Sequence, residues 1–331
     1  MRLVIDADYI RYSAASVGET RSVLVVHNQS GREKIFKNRT EFWGRGKDKD
    51  GGWLGELNAK RTSPFLPEEF TIVDVQTPEP IENVLHTAKS MFETPMKALG
   101  TTNFVGFIGK GDSFRLERST LRKYKGQRQE LLKPLHLDAV TDYLHTKYKL
   151  EYVEHLEADD RCVIECYNRK DSVLVGVDKD YLGCPVMLYN PNKPEEGVRN
   201  CNQFGSLSVT DKGKVTGIGR MFFYFQMACG DKSDNYYANC ESDVKWADKS
   251  TYNALVHAEN DRDAIERVAG IFQHLYPEPK TVQGWRGDMI EIDWMYVANE
   301  MWDLARMRRW EDDVVTFTDV YNNIVGTVHA A

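Results

Sequence analysis

Four acidic clusters constrain this chain more than any other feature of its sequence. They are Asp6 and Asp8 at the end of the first apolar run, Glu157-Ala158-Asp159-Asp160, Asp178-Lys179-Asp180, and Gly230-Asp231-Lys232-Ser233-Asp234-Asn235. Carboxylates held close together repel one another unless a cation lies between them. Their hard oxygen donors suit magnesium or manganese. Most of the clusters follow a strand-like run. A fold that gathers them builds one composite metal site, an arrangement typical of phosphoryl-transfer enzymes.

Periodicity supplies such a fold. Leu3 to Ile5 and Ser22 to His27 read as strands, and Lys34 to Phe36 pairs back after the turn Asn28 to Gly31. Phe70 to Val75 and Asn103 to Ile108 read as strands, and Ile81, Val84, Leu85, Ala88 and Phe92 mark one helical face between them. Helices are expected over Asp138 to Lys149 and Glu157 to Arg169, then strands over Val173 to Val177 and Val186 to Tyr189. This alternation implies an α/β protein with a largely parallel sheet flanked by helices. In such sheets ligands bind at the carboxyl ends of the strands, where Asp6 and Asp178 fall. After about Leu207 the pattern becomes helical: Arg220 to Cys229, Ser250 to His257, Ala264 to Leu275, and a long segment from Ile292 to Arg309. Residues 38–63 lose periodicity and carry five glycines with Trp43 and Trp53, so they read as an exposed, mobile insertion.

No apolar run reaches the ~18–20 residues of a membrane span, and Asp6 directly after Leu3-Val-Ile5 argues against a secretory signal, so a cytoplasmic protein is expected. The six cysteines lack a Cys-x-x-Cys pattern and read as free thiols, and the eight histidines lack zinc spacing. The net charge of −7 conceals a basic strip: from Lys110 to Lys133, eight basic residues face three acidic ones. A basic strip beside an acidic metal site fits a polyanionic substrate.

Taken singly, each cluster has an ordinary alternative. Glu157, Asp159 and Asp160 suit a helix N-terminus, where acid favours the dipole. Asp178 and Asp180 share one side of an extended segment, though a hydrated loop also holds such a pair. Asp231 and Asp234 meet on one helical turn.

The order Ile5-Asp6, Phe114-Arg115, Tyr124-Lys125-Gly126-Gln127-Arg128, Glu157-Ala158-Asp159-Asp160, Asp178-Lys179-Asp180 and Gly230-Asp231-x-x-Asp234-Asn235 resembles the 5′-nuclease family of flap endonucleases and 5′–3′ exonucleases. The phage 5′–3′ exonucleases are most similar, through the Tyr-Lys-Gly-x-Arg block and Thr281 to Gly287. The resemblance spans about Met1 to Arg309. It implies a PIN-like catalytic domain over residues 1–212, with the 38–63 insertion and a 110–133 basic arch segment. A helical DNA-binding region with a divergent helix–three-turn–helix would follow over 213–331. It further implies hydrolysis of phosphodiesters near a 5′ end by two magnesium ions, for which manganese substitutes. Asp6, Glu157, Asp159 and Asp178 would hold one ion, and Asp160, Asp180, Asp231 and Asp234 would complete the second site. Lys125 and Arg128 would contact the scissile phosphate, Tyr124 would stack on a base, and Arg115 would bind a phosphate nearby. The expected partner is duplex DNA with a 5′ end, nick or flap, with RNA–DNA hybrids as a further substrate.

Departures accompany the resemblance. Only 28 residues separate Arg128 from Glu157, enough for a short arch. Asp8 and Asp112 have no assigned ligand role. The Gly-x-Gly that usually binds duplex phosphates after Asp234 is missing, which leaves Lys245, Lys249 and Ser250 as substitutes at a helix N-terminus. Arg39, Arg45, Lys47 and Lys60 of the insertion are candidates for gripping the duplex. Two other readings remain open at this point: a non-catalytic branched-DNA-binding protein of the same fold, and a PIN-type ribonuclease.

Overall fold

The computed structural model describes residues 1–46 and 51–325, so Lys47 lies outside the described residues. The chain divides into two compact units, one of residues 1–10, 91–132 and 144 onward, the other of residues 11–90 and 133–143.

In the first unit, Leu3, Val4 and Ile5 are wholly buried, the continuous apolar run of a strand covered on both faces. They lie in β1 (Arg2–Asp6), the centre of a six-stranded sheet. The others are β2 (Phe104–Ser113), β3 (Glu151–His155), β4 (Ser172–Val175), β5 (Met187–Tyr189) and β6 (Val198–Asn200), in the order β3-β2-β1-β4-β5-β6. Every neighbouring pair is parallel except the antiparallel β5 and β6. Strand β3 is not legible in the sequence, because Glu151, Tyr152, Glu154 and His155 are exposed and only Val153 is buried. Helix Ala158–Asn168 packs Cys162, Val163 and Cys166 against Val4, Phe107 and Leu174. Phe92 stacks on Tyr148 at 3.9 Å and meets Phe104 edge-on at 5.2 Å. The mostly parallel, helix-flanked α/β architecture is thus present.

Helices Arg220–Cys229, Asp261–Leu275 and Trp294–Ala305 enclose a second core through Phe225, Met227, Ile265, Phe272 and Met301. The long helix expected over Ile292 to Arg309 ends at Ala305, and the chain beyond it is held by buried carboxylates. The Arg308 amide donates to Asp160 and the Arg309 amide to Asp313, both at 2.9 Å. This region also contains the hairpins Ser206–Val209 with Val215–Ile218 and Lys280–Gln283 with Met289–Ile292, which the helical pattern does not show.

In the second unit, Glu19–His27 pairs antiparallel with both Glu33–Phe36 and Phe70–Pro78. The Phe70 strand therefore belongs to a separate antiparallel sheet. The segment expected to be mobile forms helices Arg39–Trp43 and Trp53–Asn58. Asn38 caps the first through the Glu41 amide at 2.9 Å, and Phe42 and Leu54 are buried with Val23, Val25 and Phe36. The glycines mask the aromatic content that supplies this core. No helix among the described residues is long and apolar enough to cross a membrane.

Candidate metal centre

Strand order places the site. The chain runs from β1 to β2 and β3 on one side, then crosses to β4 on the other, so the switch point at which such sheets form a crevice falls at the carboxyl ends of β1 and β4. Asp6 ends β1, and Asp178 follows β4 as the cap of the short turn Lys179–Gly183.

Asp6 is buried. One carboxylate oxygen accepts the Asp8 amide and the other the Tyr181 hydroxyl, both at 2.9 Å. Burial, then the charge of Asp8, with Asp178 adding to it, lifts its carboxyl to about 7. Asp8 opens helix Asp8–Val17 and accepts the Gly109 amide at 3.0 Å. A Cβ on Gly109 would lie 2.8 Å from Asp8 Oδ2, so only glycine admits this contact without displacement. Asp112 is exposed in β2.

Glu157, Asp159 and Asp160 open helix Ala158–Asn168 and offer ligand oxygens within 4.8 Å of one another. Their environments differ. Glu157 accepts Lys125 Nζ on one oxygen, and Arg115 and the Tyr124 hydroxyl on the other, each at 3.1 Å. Burial alone would raise its carboxyl, but Arg115 and Lys125 leave it below its ordinary value. Asp159 moves the opposite way. Burial, then Glu157 and Asp160, drive its carboxyl well above the usual range, and Arg115 and Lys125 only partly offset them. A half-buried carboxylate in this state is stabilised by a cation, and these hard oxygen donors fit a divalent one.

Asp160 is not available as expected. Its oxygens accept both forks of Arg115, at 2.5 and 2.9 Å, with the Glu157 amide at 3.2 Å and the Arg308 amide at 2.9 Å. Four bonds fill its acceptor positions, so it anchors the helix start. Arg115, expected to bind a phosphate, is only 2% exposed. Its remaining donors reach Glu157 and the Leu304 and Arg306 carbonyls, which uses all five N–H groups. Tyr124 is likewise buried. Its hydroxyl lies 3.1 Å from both Glu157 and Asp234, and its ring stacks on Tyr236 at 6.4 Å, so it presents no face to a base.

A second acidic group adjoins the first. Asp178 accepts the Asp180 amide at 2.9 Å, and Asp180 accepts Gln226. Burial, then Asp178, with Asp231 adding, raises the Asp180 carboxyl to about 7. Asp231 holds Lys179 at 2.6 Å and the Ser233 amide at 2.7 Å. Burial would raise Asp231, but these two neighbours leave it below its ordinary value. Asp234 pairs with Arg128 and, at its carbonyl, accepts the Lys125 amide at 2.9 Å. Lys125 adopts the left-handed conformation at φ 52°, an uncommon one for a non-glycine residue. Gln127 donates to Asn235 and Asn235 to the Lys123 carbonyl, both at 3.0 Å, which fastens the basic block to the Asp231–Asn235 turn.

Lys245 and Lys249 are exposed, and Ser250 is half-buried, at the head of helix Asp248–Leu255. A cavity of about 300 Å³ runs from Lys179 and Asp231 to Trp246 and Asp248 beside that helix. Lys179, Tyr181 and Gln226 belong to this centre although sequence reasoning does not single them out. Lys179 is legible as a cation between Asp178 and Asp180, whereas nothing in the sequence marks the other two.

No protein-family model and no curated protein matches the chain. Solved structures similar to it include a bacteriophage T5 protein crystallised with metal ions, at 15% identity over 72% of this chain and 82% of that one, TM-score 0.38. A second is the bacteriophage T5 flap endonuclease in a pseudo-enzyme-product complex with DNA and metal ions, at 19% identity over 55% and 70%, TM-score 0.36. A third is a mutant T5 5′-exonuclease, at 14% identity over 74% and 86%, TM-score 0.38.

Proposed function

We propose that the chain is a divalent-metal-dependent 5′–3′ exonuclease acting on duplex DNA, with flap cleavage and hydrolysis of RNA in hybrids as related activities. The observation that carries this reading is the acidic crevice, where the half-buried Asp159 carboxylate lies beside Glu157 and Asp160 in a state that calls for a cation. Asp6, Glu157, Asp159 and Asp178 would hold a first magnesium ion, and Asp180, Asp231 and Asp234 would serve a second. Ions bound there would lower the pKa of the attacking water and stabilise the leaving oxygen.

The chain's own residues prepare that chemistry. Arg115 and Asp160 fix Glu157 at the helix start, and Tyr181 fixes Asp6. Lys125 and Arg128 rest on Glu157 and Asp234, from which each can turn to a phosphate, Lys125 as a point charge and Arg128 as a fork. The basic strip around them fits the DNA backbone.

The test is incubation with duplex DNA labelled at its 5′ or its 3′ end, in magnesium and in EDTA. Early release of the 5′ label alone, abolished by EDTA, is expected. Tight binding without release would favour the non-catalytic DNA-binding reading, and preference for single-stranded RNA over nicked duplex the ribonuclease one.

A further inference from the structure

Strand β4 has two ends. Asp178 follows its carboxyl end; Ser172 begins it. Six residues at about 3.3 Å each separate them by at most about 20 Å. Around Ser172 lies a cavity of about 700 Å³, lined also by Tyr167, Lys170, Asn200, Arg220 and Arg309. This volume is within the range of small-molecule sites.

Its polar groups are incompletely partnered. Ser172 is 4% exposed, yet its hydroxyl has no hydrogen-bond partner among the described residues. Buried hydroxyls without partners are uncommon and costly. The side chains of Arg309 and Lys170 make no hydrogen bond or ion pair among the described residues. Burial, and Arg306 beside it, push the Arg309 guanidinium below its ordinary pKa, and the nearby Asp313 carboxylate only partly offsets them. Arg220, by contrast, is held by Asp261 at 2.7 and 2.8 Å, so its charge is already balanced. Among the described residues, no carboxylate lines the cavity. Tyr167, 47% exposed, supplies an aromatic wall backed by Trp310 at 5.9 Å.

We propose that this cavity is a second ligand site, separate from the acidic crevice, which binds a phosphate monoester through Ser172, Lys170 and Arg309. Its volume and the Tyr167 ring fit a 5′-mononucleotide, and inorganic phosphate shares the same chemistry. Occupancy here does not depend on hydrolysis at the crevice, so it is tested without metal.

Isothermal titration of the full chain in EDTA, with a 5′-deoxynucleoside monophosphate, the matching nucleoside and inorganic phosphate, decides the matter. Binding of the monophosphate and no binding of the nucleoside are expected. Arg309→Gln should weaken binding about tenfold or more, as expected for a lost charge-assisted hydrogen bond. Ser172→Ala and the exposed Lys170→Gln should each weaken it a few-fold. Lys170→Gln removes no buried contact, so it reports even where a buried substitution unfolds the chain. Tighter binding of the nucleotide than of phosphate identifies the nucleotide as ligand; equal binding identifies phosphate. Failure of both to bind at millimolar concentration, or unchanged affinity in Lys170→Gln and Arg309→Gln, overturns the proposal.

Discussion

Arg115 and Asp160 are locked in a two-pronged ion pair, at 2.5 and 2.9 Å, with both side chains almost completely buried. The pair joins the end of β2 to the start of helix Ala158–Asn168, and through the Leu304 and Arg306 carbonyls to the C-terminal helices. Breaking one partner leaves a buried, uncompensated charge. Arg115→Met is therefore expected to cost about 3–5 kcal/mol of stability, readable as a fall in the denaturant midpoint. A loss below about 1 kcal/mol, the scale of an exposed pair, would show that the pair is not a structural brace.

Metal-free stability should depend on pH in a stated direction. Asp6 and Asp180 titrate at about 7 in the folded chain against an ordinary value of 3.8. The folded state therefore holds these protons more tightly, so stability is greatest below about pH 4 for these groups and is lost as pH rises towards 7. Every tenfold difference in proton affinity between the folded and unfolded chain corresponds to about 1.4 kcal/mol. Thermal melts in EDTA should show this contribution declining, and magnesium should remove the decline. A melt indifferent to magnesium at pH 7 would contradict a bound ion.

Lys125→Met is expected to lower the rate of phosphodiester hydrolysis about a hundredfold, the scale of one lost electrostatic contact to a transition state. Its effect on the thermal midpoint should be small, since the side chain is partly exposed and its partner Glu157 keeps Arg115 and Tyr124. Equal losses of stability and rate would assign Lys125 to structure alone.

The segment after Asn38 should behave as a folded element. Phe42 is fully buried against Phe36 and Phe70, with ring centroids at 5.3 Å from each. Phe42→Ala should cost about 3–5 kcal/mol where the protein is globally two-state. It should also raise amide exchange in Arg39–Trp43 and Trp53–Asn58. Fast exchange of these amides in the unaltered chain would return the segment to a loose insertion.

The sheet and its acidic edge are readable in the sequence for a physical reason. Apolar runs such as Leu3 to Ile5 end in carboxylates, and strand period and charge are both local signals. What escapes a sequence reading depends on contacts distant along the chain. Arg115 reads as a phosphate contact, and only folding shows that Asp160, 45 positions on, with Glu157 and the Leu304 and Arg306 carbonyls, consumes its donors. Tyr124 reads as a base-stacking ring because burial against Tyr236 is invisible before the chain closes. Tyr181 gives no sign that it will hold Asp6, 175 positions away. The glycines of residues 38–63 suggest a loop, while Phe42, Trp43 and Trp53 carry the apolar surface that packs.

The most direct test of the metal centre is the Asp178→Asn variant, assayed for hydrolysis of 5′-labelled duplex DNA in magnesium alongside its fold and DNA affinity. The expected result is an unchanged circular dichroism spectrum, retained DNA binding and almost complete loss of 5′ label release. Turnover near that of the unaltered chain would contradict a hydrolytic centre built on these carboxylates.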